Sequence, residues 1–165
     1  MRATSAPAVP LPLTDAGLTA AKIADFYAAN SLFHCPAAKF PANAATDINA
    51  YFSLAMNSKL IEGAAKTIKT STILQPTITV FFLENRLKGE NRVTTAQPDD
   101  TDKDLGQPAS YANRFAARHG QNGNLTFADG HSAAAKGSKI VDLSTGKAVL
   151  PQTEICWTTD PSVSP

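Results

Sequence analysis

The residues of this chain whose types could do chemistry are three histidines, two cysteines and a short run of aspartates. His119 stands nine residues ahead of Asp129-Gly130, and His131 follows directly. A carboxylate beside an imidazole is the orienting half of a general-base or nucleophilic site, but no Ser or Cys nucleophile accompanies these residues in a recognisable local frame. The reading that carries more is structural. Asp129 accepts backbone N–H bonds in its own turn and bonds an imidazole, either His119 across strands or His131 close by, which fixes the register of a hairpin. On this reading the chain is not an enzyme and has no catalytic residue. His34, His119 and His131 lack a metal-ligand spacing such as H-E-x-x-H, so no zinc site is legible locally.

Asp100, Asp102 and Asp104 alternate as the first three ligands of an EF-hand loop do, which makes them candidate calcium ligands. The rest of that pattern is absent: Leu105 stands where the loop needs Gly, and Tyr111 where it needs the bidentate Glu. A solvated acidic loop is the competing meaning. Cys35 and Cys156 have no C-x-x-C spacing, and are either two buried thiols or one disulfide. A bridge closing so long a loop would contribute about 4–5 kcal/mol in the chain-entropy account.

These residues need elements to hold them. Residues 124–128 alternate Leu125 and Phe127 against Thr126 and Ala128, and Asp129-Gly130 suits a two-residue hairpin turn. That turn predicts Ala128 opposite His131, with Leu125 and Phe127 sharing a face with Ser132 and Ala134. Gln121-Asn122-Gly123 is a second turn candidate, so residues 114–119 are expected as a further strand that sets His119 beside Asp129. Residues 77–84, rich in β-branched and aromatic side chains after Pro76, predict a central strand. Thr14 or Asp15 can cap a helix over 14–30, whose Leu18, Ile23 and Phe26 would dock on the sheet. Asp47 can cap a short helix through Tyr51 and Leu54, although 51–54 would also serve as a strand. Residues 85–113 are expected as a long polar loop, 140–150 as a second hairpin and 153–158 as a last short strand. The expected fold class is α+β: a small antiparallel sheet of hairpins packed against one or two helices.

With 165 residues, 43% hydrophobic and 18% charged, the chain suffices for one globular domain, placed at 13–160 between a Pro-containing tether at 1–12 and a tail at 161–165. A net charge of +1 with dispersed Lys and Arg leaves no footprint for nucleic acid or an anionic membrane. No apolar run approaches the roughly 20 residues of a membrane span, so no membrane contact is expected of these residues.

The chain also resembles a known family. His119, Asn124, Phe127, Asp129-Gly130 and His131 resemble the signature of the prepilin-type processing-associated H-X9-DG domain, in the pseudopilin and type IV pilin-like proteins. Leu32-Phe33-His34-Cys35-Pro36 is similar to that family's Cys-Pro block, Leu54-Ala55-Met56-Asn57 to its Ala-Met-Asn block, and Gln75-Pro76 through Glu84 to its Pro-led strand. The resemblance implies a pseudopilin-like globular head, exported to the periplasmic face of the inner membrane or the cell surface, without the family's N-terminal stem helix. It implies a structural subunit of a type II secretion or type IV pilus-like assembly, with other pilin or pseudopilin subunits as partners. Export favours the Cys35–Cys156 bridge, and calcium binding beside the sheet of major pseudopilins carries over to the acidic loop by position alone. Two other classes remain open: an exported adhesin or carbohydrate-binding module working through the 85–113 loop, and a hydrolase built on His119 and Asp129.

Overall fold

A strand of mostly apolar residues, Val80–Glu84 (β2), is hydrogen-bonded on both sides and sits at the middle of a five-stranded sheet. The structure, a computed structural model, describes residues 35–39, 52–60, 68–95, 102, 105–149 and 153–163. Leu54–Asn57 (β1) pairs antiparallel with one side of β2 and Asn122–Phe127 (β4) with the other. Ala109–Ser110 (β3) lies parallel to β1 at one edge, and Ser132–Lys136 (β5) pairs antiparallel with β4 at the opposite edge. The order is β3-β1-β2-β4-β5.

This corrects the α+β expectation of an antiparallel sheet under one or two helices. The sheet is mixed, and the described residues contain one α-helix, the single turn Gly137–Ile140 (α1), beside short 3₁₀ turns. Of the short helix expected from Asp47 through Leu54, residues 47–51 lie outside the described residues, and Leu54 itself opens a strand, the alternative that 51–54 also offered. Ala55 and Asn57 are buried while Leu54 and Met56 are half-buried, the alternation of a strand. The helix expected over 14–30 and the tether over 1–12 lie outside the described residues.

A β-bulge decides which side chains form the core. Val80 pairs with Phe127 and Leu83 with Leu125, with the register shifting between Val80 and Phe82. The extra residue restores to one face two side chains that a regular strand would point apart. Val80, Leu83, Leu125 and Phe127 therefore share a cluster with Phe115, Ile140, Val141, Ala148 and Trp157. Among the described residues, the cover over this face comes from residues 112–117 and 140–157.

Two buried amides staple the sheet. Asn57 donates through Nδ2 to the carbonyls of Val80 and Trp157, both at 2.8 Å, and Asn85 donates to those of Phe52 and Gln107, both at 3.0 Å. The second pair draws the chain ahead of β3 alongside β1. The hairpin expected over 140–150 reduces to one antiparallel bridge between Val141 and Ala148, and the strand expected over 153–158 to a parallel bridge from Cys156 to Thr79.

Tyr111 packs edge-on against the buried Trp157, with ring centroids 5.4 Å apart, and burial pushes its hydroxyl from 10.0 up to about 12. A raised folded-state value favours the neutral phenol. That contribution is fully present below pH 10.0 and is lost as the pH climbs through about 12. A spectrophotometric titration should resolve one tyrosine ionising near pH 12 that Tyr111→Phe removes; its ionisation alongside ordinary tyrosines would contradict the packing.

Candidate functional site

The hairpin β4–β5 carries the motif residues, and its register differs by one residue from the expected one. Phe127 N donates to His131 O at 2.9 Å, Gly130 N donates to Phe127 O at 2.9 Å, and Thr126 stands opposite Ser132. The loop is thus three residues, 128–130, with Gly130 at φ +94° supplying the left-handed residue such a loop needs. Leu125 consequently faces Ala133 rather than sharing a face with Ser132 and Ala134. The ring of Phe127 stacks on that of His131, 4.4 Å away and 7° from parallel.

The expected strand at 114–119 is absent. A 3₁₀ turn at Ala112–Arg114 leads instead to a tight reversal at His119, whose N–H and carbonyl both bond Asn122, at 2.9 and 3.2 Å. Gly120 at φ +62° and Gln121 at φ +67° are its central residues, the left-handed pair of a type I′ turn. The turn thus precedes Asn122 and Gly123, which belong to β4. His119 is therefore at one end of β4 and Asp129 beyond the other, roughly 20 Å apart at the rise of a strand. The nine-residue spacing spans the strand and does not bring the two together.

Each end has its own chemistry. At the far end Asp129 Oδ1 accepts from His131, from the ring Nδ1 at 2.7 Å and from the backbone N–H at 3.1 Å, so His131 is the partner of Asp129. Those bonds, the side-chain one first, hold the Asp129 carboxyl below its ordinary 3.8. A lowered carboxyl stabilises the fold above the ordinary value and loses that contribution as the pH falls through the lowered one. Asp129→Asn should therefore unfold with a shallower dependence on pH below about 4 than the parent, read from thermal midpoints across that range. Identical acid profiles would remove the turn from the acid sensitivity.

At the near end, His119, Asn124, Cys35 and Arg118 converge on Glu84. The Glu84 side chain is 3% exposed, the last residue of β2, directly across from Asn124 of β4. Its Oε1 lies 2.6 Å from Asn124 Nδ2, which donates, and 3.1 Å from His119 Nε2. Cys35 Sγ stands 3.7 Å from the same His119 Nε2, and the Cys35 N–H donates to Ser53 Oγ at 2.6 Å, tying this segment to the start of β1. On the inner side Arg118, 7% exposed, reaches Glu84 Oε2 at 4.0 Å with Nη1. Its Nε and Nη2 are held by Glu90, and Nη2 also donates to Asn85 O at 2.6 Å. Glu84 Oε2 and Arg118 Nη1 are both buried and find no hydrogen-bond partner among the described residues.

Comparison with protein-family models, with curated proteins and with solved structures finds no match. The site is therefore argued from its own geometry. Cys35, Glu84 and His119 each offer one ligand atom, and these lie within 4.8 Å of one another, so the group could hold a metal ion. The alternative, a Cys-His-Glu catalytic triad, needs its carboxylate on one imidazole nitrogen and its thiol on the other. Here the Glu84 carboxylate and the Cys35 sulfur both address Nε2.

Cys35 and Cys156 are free thiols. Cys156 bridges to Thr79 before β2 begins and donates from Sγ to Thr158 O at 3.1 Å, whereas Cys35 stands by Glu84 at the end of β2. The length of β2 keeps them roughly 16 Å apart, well beyond disulfide reach. Of the acidic loop, Asp100 and Asp104 lie outside the described residues. Asp102 is taken by Arg114, from Nε at 2.8 Å and Nη2 at 3.2 Å. No helix among the described residues is long and apolar enough to cross a membrane.

Sequence reasoning missed Glu84, Glu90 and Arg118 as site residues. The signal available was an acidic residue closing an apolar run in a central strand, since a carboxylate there must find partners.

Proposed function

We propose that the chain is a non-enzymatic structural subunit of a pseudopilin-like or minor pilin-like assembly, of the type II secretion or type IV pilus-like kind. One observation carries the reading: the described residues of the four blocks are contiguous in space. Cys35 meets His119, β1 and β4 flank β2, and the motif's two ends are spent on Glu84 and on the β4–β5 turn. Residues held this way brace a sheet, and substrate attack asks for different geometry. Partners on this reading are other pilin or pseudopilin subunits, met after export. Calcium in the Asp100, Asp102 and Asp104 loop is a secondary proposal, and the Arg114 pairing of Asp102 would have to yield to it.

The test is association in the cells that make the protein. Mild crosslinking followed by detergent extraction should recover it in a high-mass complex containing subunits with pilin-like apolar stems. Recovery as a monomer alone overturns the reading.

A groove of about 650 Å³ favours a second reading, as a binding module using the 85–113 loop. Lys39, Arg86, Arg92, Arg118 and Lys136 line it, with Glu90 among them. That surface suits an anionic glycan or peptide, and an immobilised acidic-glycan panel would separate the two readings.

A further inference from the structure

We infer that Cys35, Glu84 and His119 form a binding site for a zinc-class divalent cation. The ligand atoms lie close to, though not at, the spacing that the ion needs. Zn–S near 2.3 Å with Zn–N and Zn–O near 2.0–2.2 Å places the ligand atoms of a tetrahedron about 3.4–3.6 Å apart. His119 Nε2 is 3.7 Å from Cys35 Sγ and 3.1 Å from Glu84 Oε1, and all three atoms fall within 4.8 Å.

The protonation chemistry points the same way. An imidazole nitrogen carries either one lone pair or one N–H, so Nε2 pairs fully with the Glu84 carboxylate or with the Cys35 sulfur and not with both at once. A cation between the three atoms satisfies all of them, with the imidazole neutral and the thiol deprotonated. Buried Glu84 Oε2, which finds no hydrogen-bond partner among the described residues, is a second sign that the carboxylate is incompletely served by them alone. Charge agrees as well. Glu90 takes two of Arg118's nitrogens, which leaves Glu84 only the 4.0 Å approach of the third.

The donor set selects the metal. One sulfur, one nitrogen and one oxygen suit zinc and its neighbours, whereas calcium and magnesium take shells of oxygen. Three protein ligands leave a fourth position open, and the His119 side chain, 44% exposed, gives it a route to solvent. Bound metal would clamp the 35–39 segment to the ends of β2 and β4.

Reduced, chelator-stripped protein is titrated with zinc alone and, in parallel, with cobalt alone. The expected results are about one equivalent of zinc retained after desalting, a thiolate-to-cobalt charge-transfer band, and a rise in Tm of about 5–10 °C at roughly a hundredfold excess over Kd. Magnesium gives no rise. Cys35→Ala should abolish the band, and Cys35→Ala and His119→Ala should each weaken zinc binding more than about a hundredfold. Neither side chain is in the core, so both variants fold; circular dichroism checks this. No retained zinc overturns the inference, as does zinc affinity undiminished in the two variants, the mark of an adventitious surface site. Assembly with pilin-like partners is read separately, so failure here leaves the functional proposal standing.

Discussion

Gly123→Ala should lower the unfolding free energy by about 3 kcal/mol or more. A Cβ at this position would lie 2.1 Å from the Ala116 carbonyl oxygen and 2.6 Å from Phe115 Cζ. The first contact is with backbone, which cannot rotate away. Ala116 is held in turn, since its N–H donates to Glu84 O at 2.9 Å, and Phe115 is fully buried. Relief therefore requires β4 and the 112–118 segment to separate, which opens the core and drags Arg118 and His119 off Glu84. Gly130→Ala is the control. Its Cβ would meet nothing within 4 Å, and only its φ of +94° resists, at about 1 kcal/mol. Urea midpoints of the two variants decide the matter: equal losses would mean that β4 and residues 115–116 are not in close approach.

The same glycine shows where sequence reasoning stops. Gln121-Asn122-Gly123 reads as a turn because Asn and Gly favour turns, yet Gly123 is in a strand for want of room. Crowding by Phe115 and Ala116 is a tertiary fact with no local trace. The strand expected over 77–84 was legible from Val80 on, because a run of β-branched and aromatic residues suits a pleated surface whatever its neighbours, while residues 77–78 belong to a turn. Its bulge was not, and without it the burial of both Val80 and Leu83 has no explanation in a period of two. Asp129-Gly130 announced a reversal correctly, but local chemistry could not choose between two- and three-residue loops, and that choice moves every cross-strand pair by one. At Leu54–Asn57 pairing decides for the strand what the local pattern left between strand and helix. At the site, His119 and Asn124 were visible as motif residues, whereas the atom they share, Glu84 Oε1, comes from a strand 35 and 40 positions away. Cys35 is farther still, at 84 from His119. No spacing rule reaches across such separations, so the metal-ligand group emerges only when β2 and β4 are paired.

Removing the cation that underlies this group should cost nearly as much as the glycine change. Arg118→Met keeps the length and apolar stem of the side chain but leaves Glu84 and Glu90, whose side chains are 3% and 10% exposed, without their shared guanidinium. Breaking a buried pair by deleting one partner costs about 3–5 kcal/mol, because a charge is left in a poorly solvated place. Here one deletion strands two carboxylates, and Asn85 O loses its donor as well. Glu90→Gln alone should cost less, since Arg118 keeps Glu84 beside it and the one amide oxygen can still accept from either the Leu87 or the Lys39 N–H, which now donate to different oxygens of Glu90. In a double-mutant cycle, Glu90→Gln should recover part of the Arg118→Met loss, giving a coupling of about 1–3 kcal/mol. Arg118→Lys should fall between, for a lysine supplies the charge but cannot address Glu90 through two nitrogens while also reaching Asn85 O. Additive losses across the cycle would show that Arg118 and Glu90 act independently, and that Glu90 does not hold the guanidinium away from Glu84.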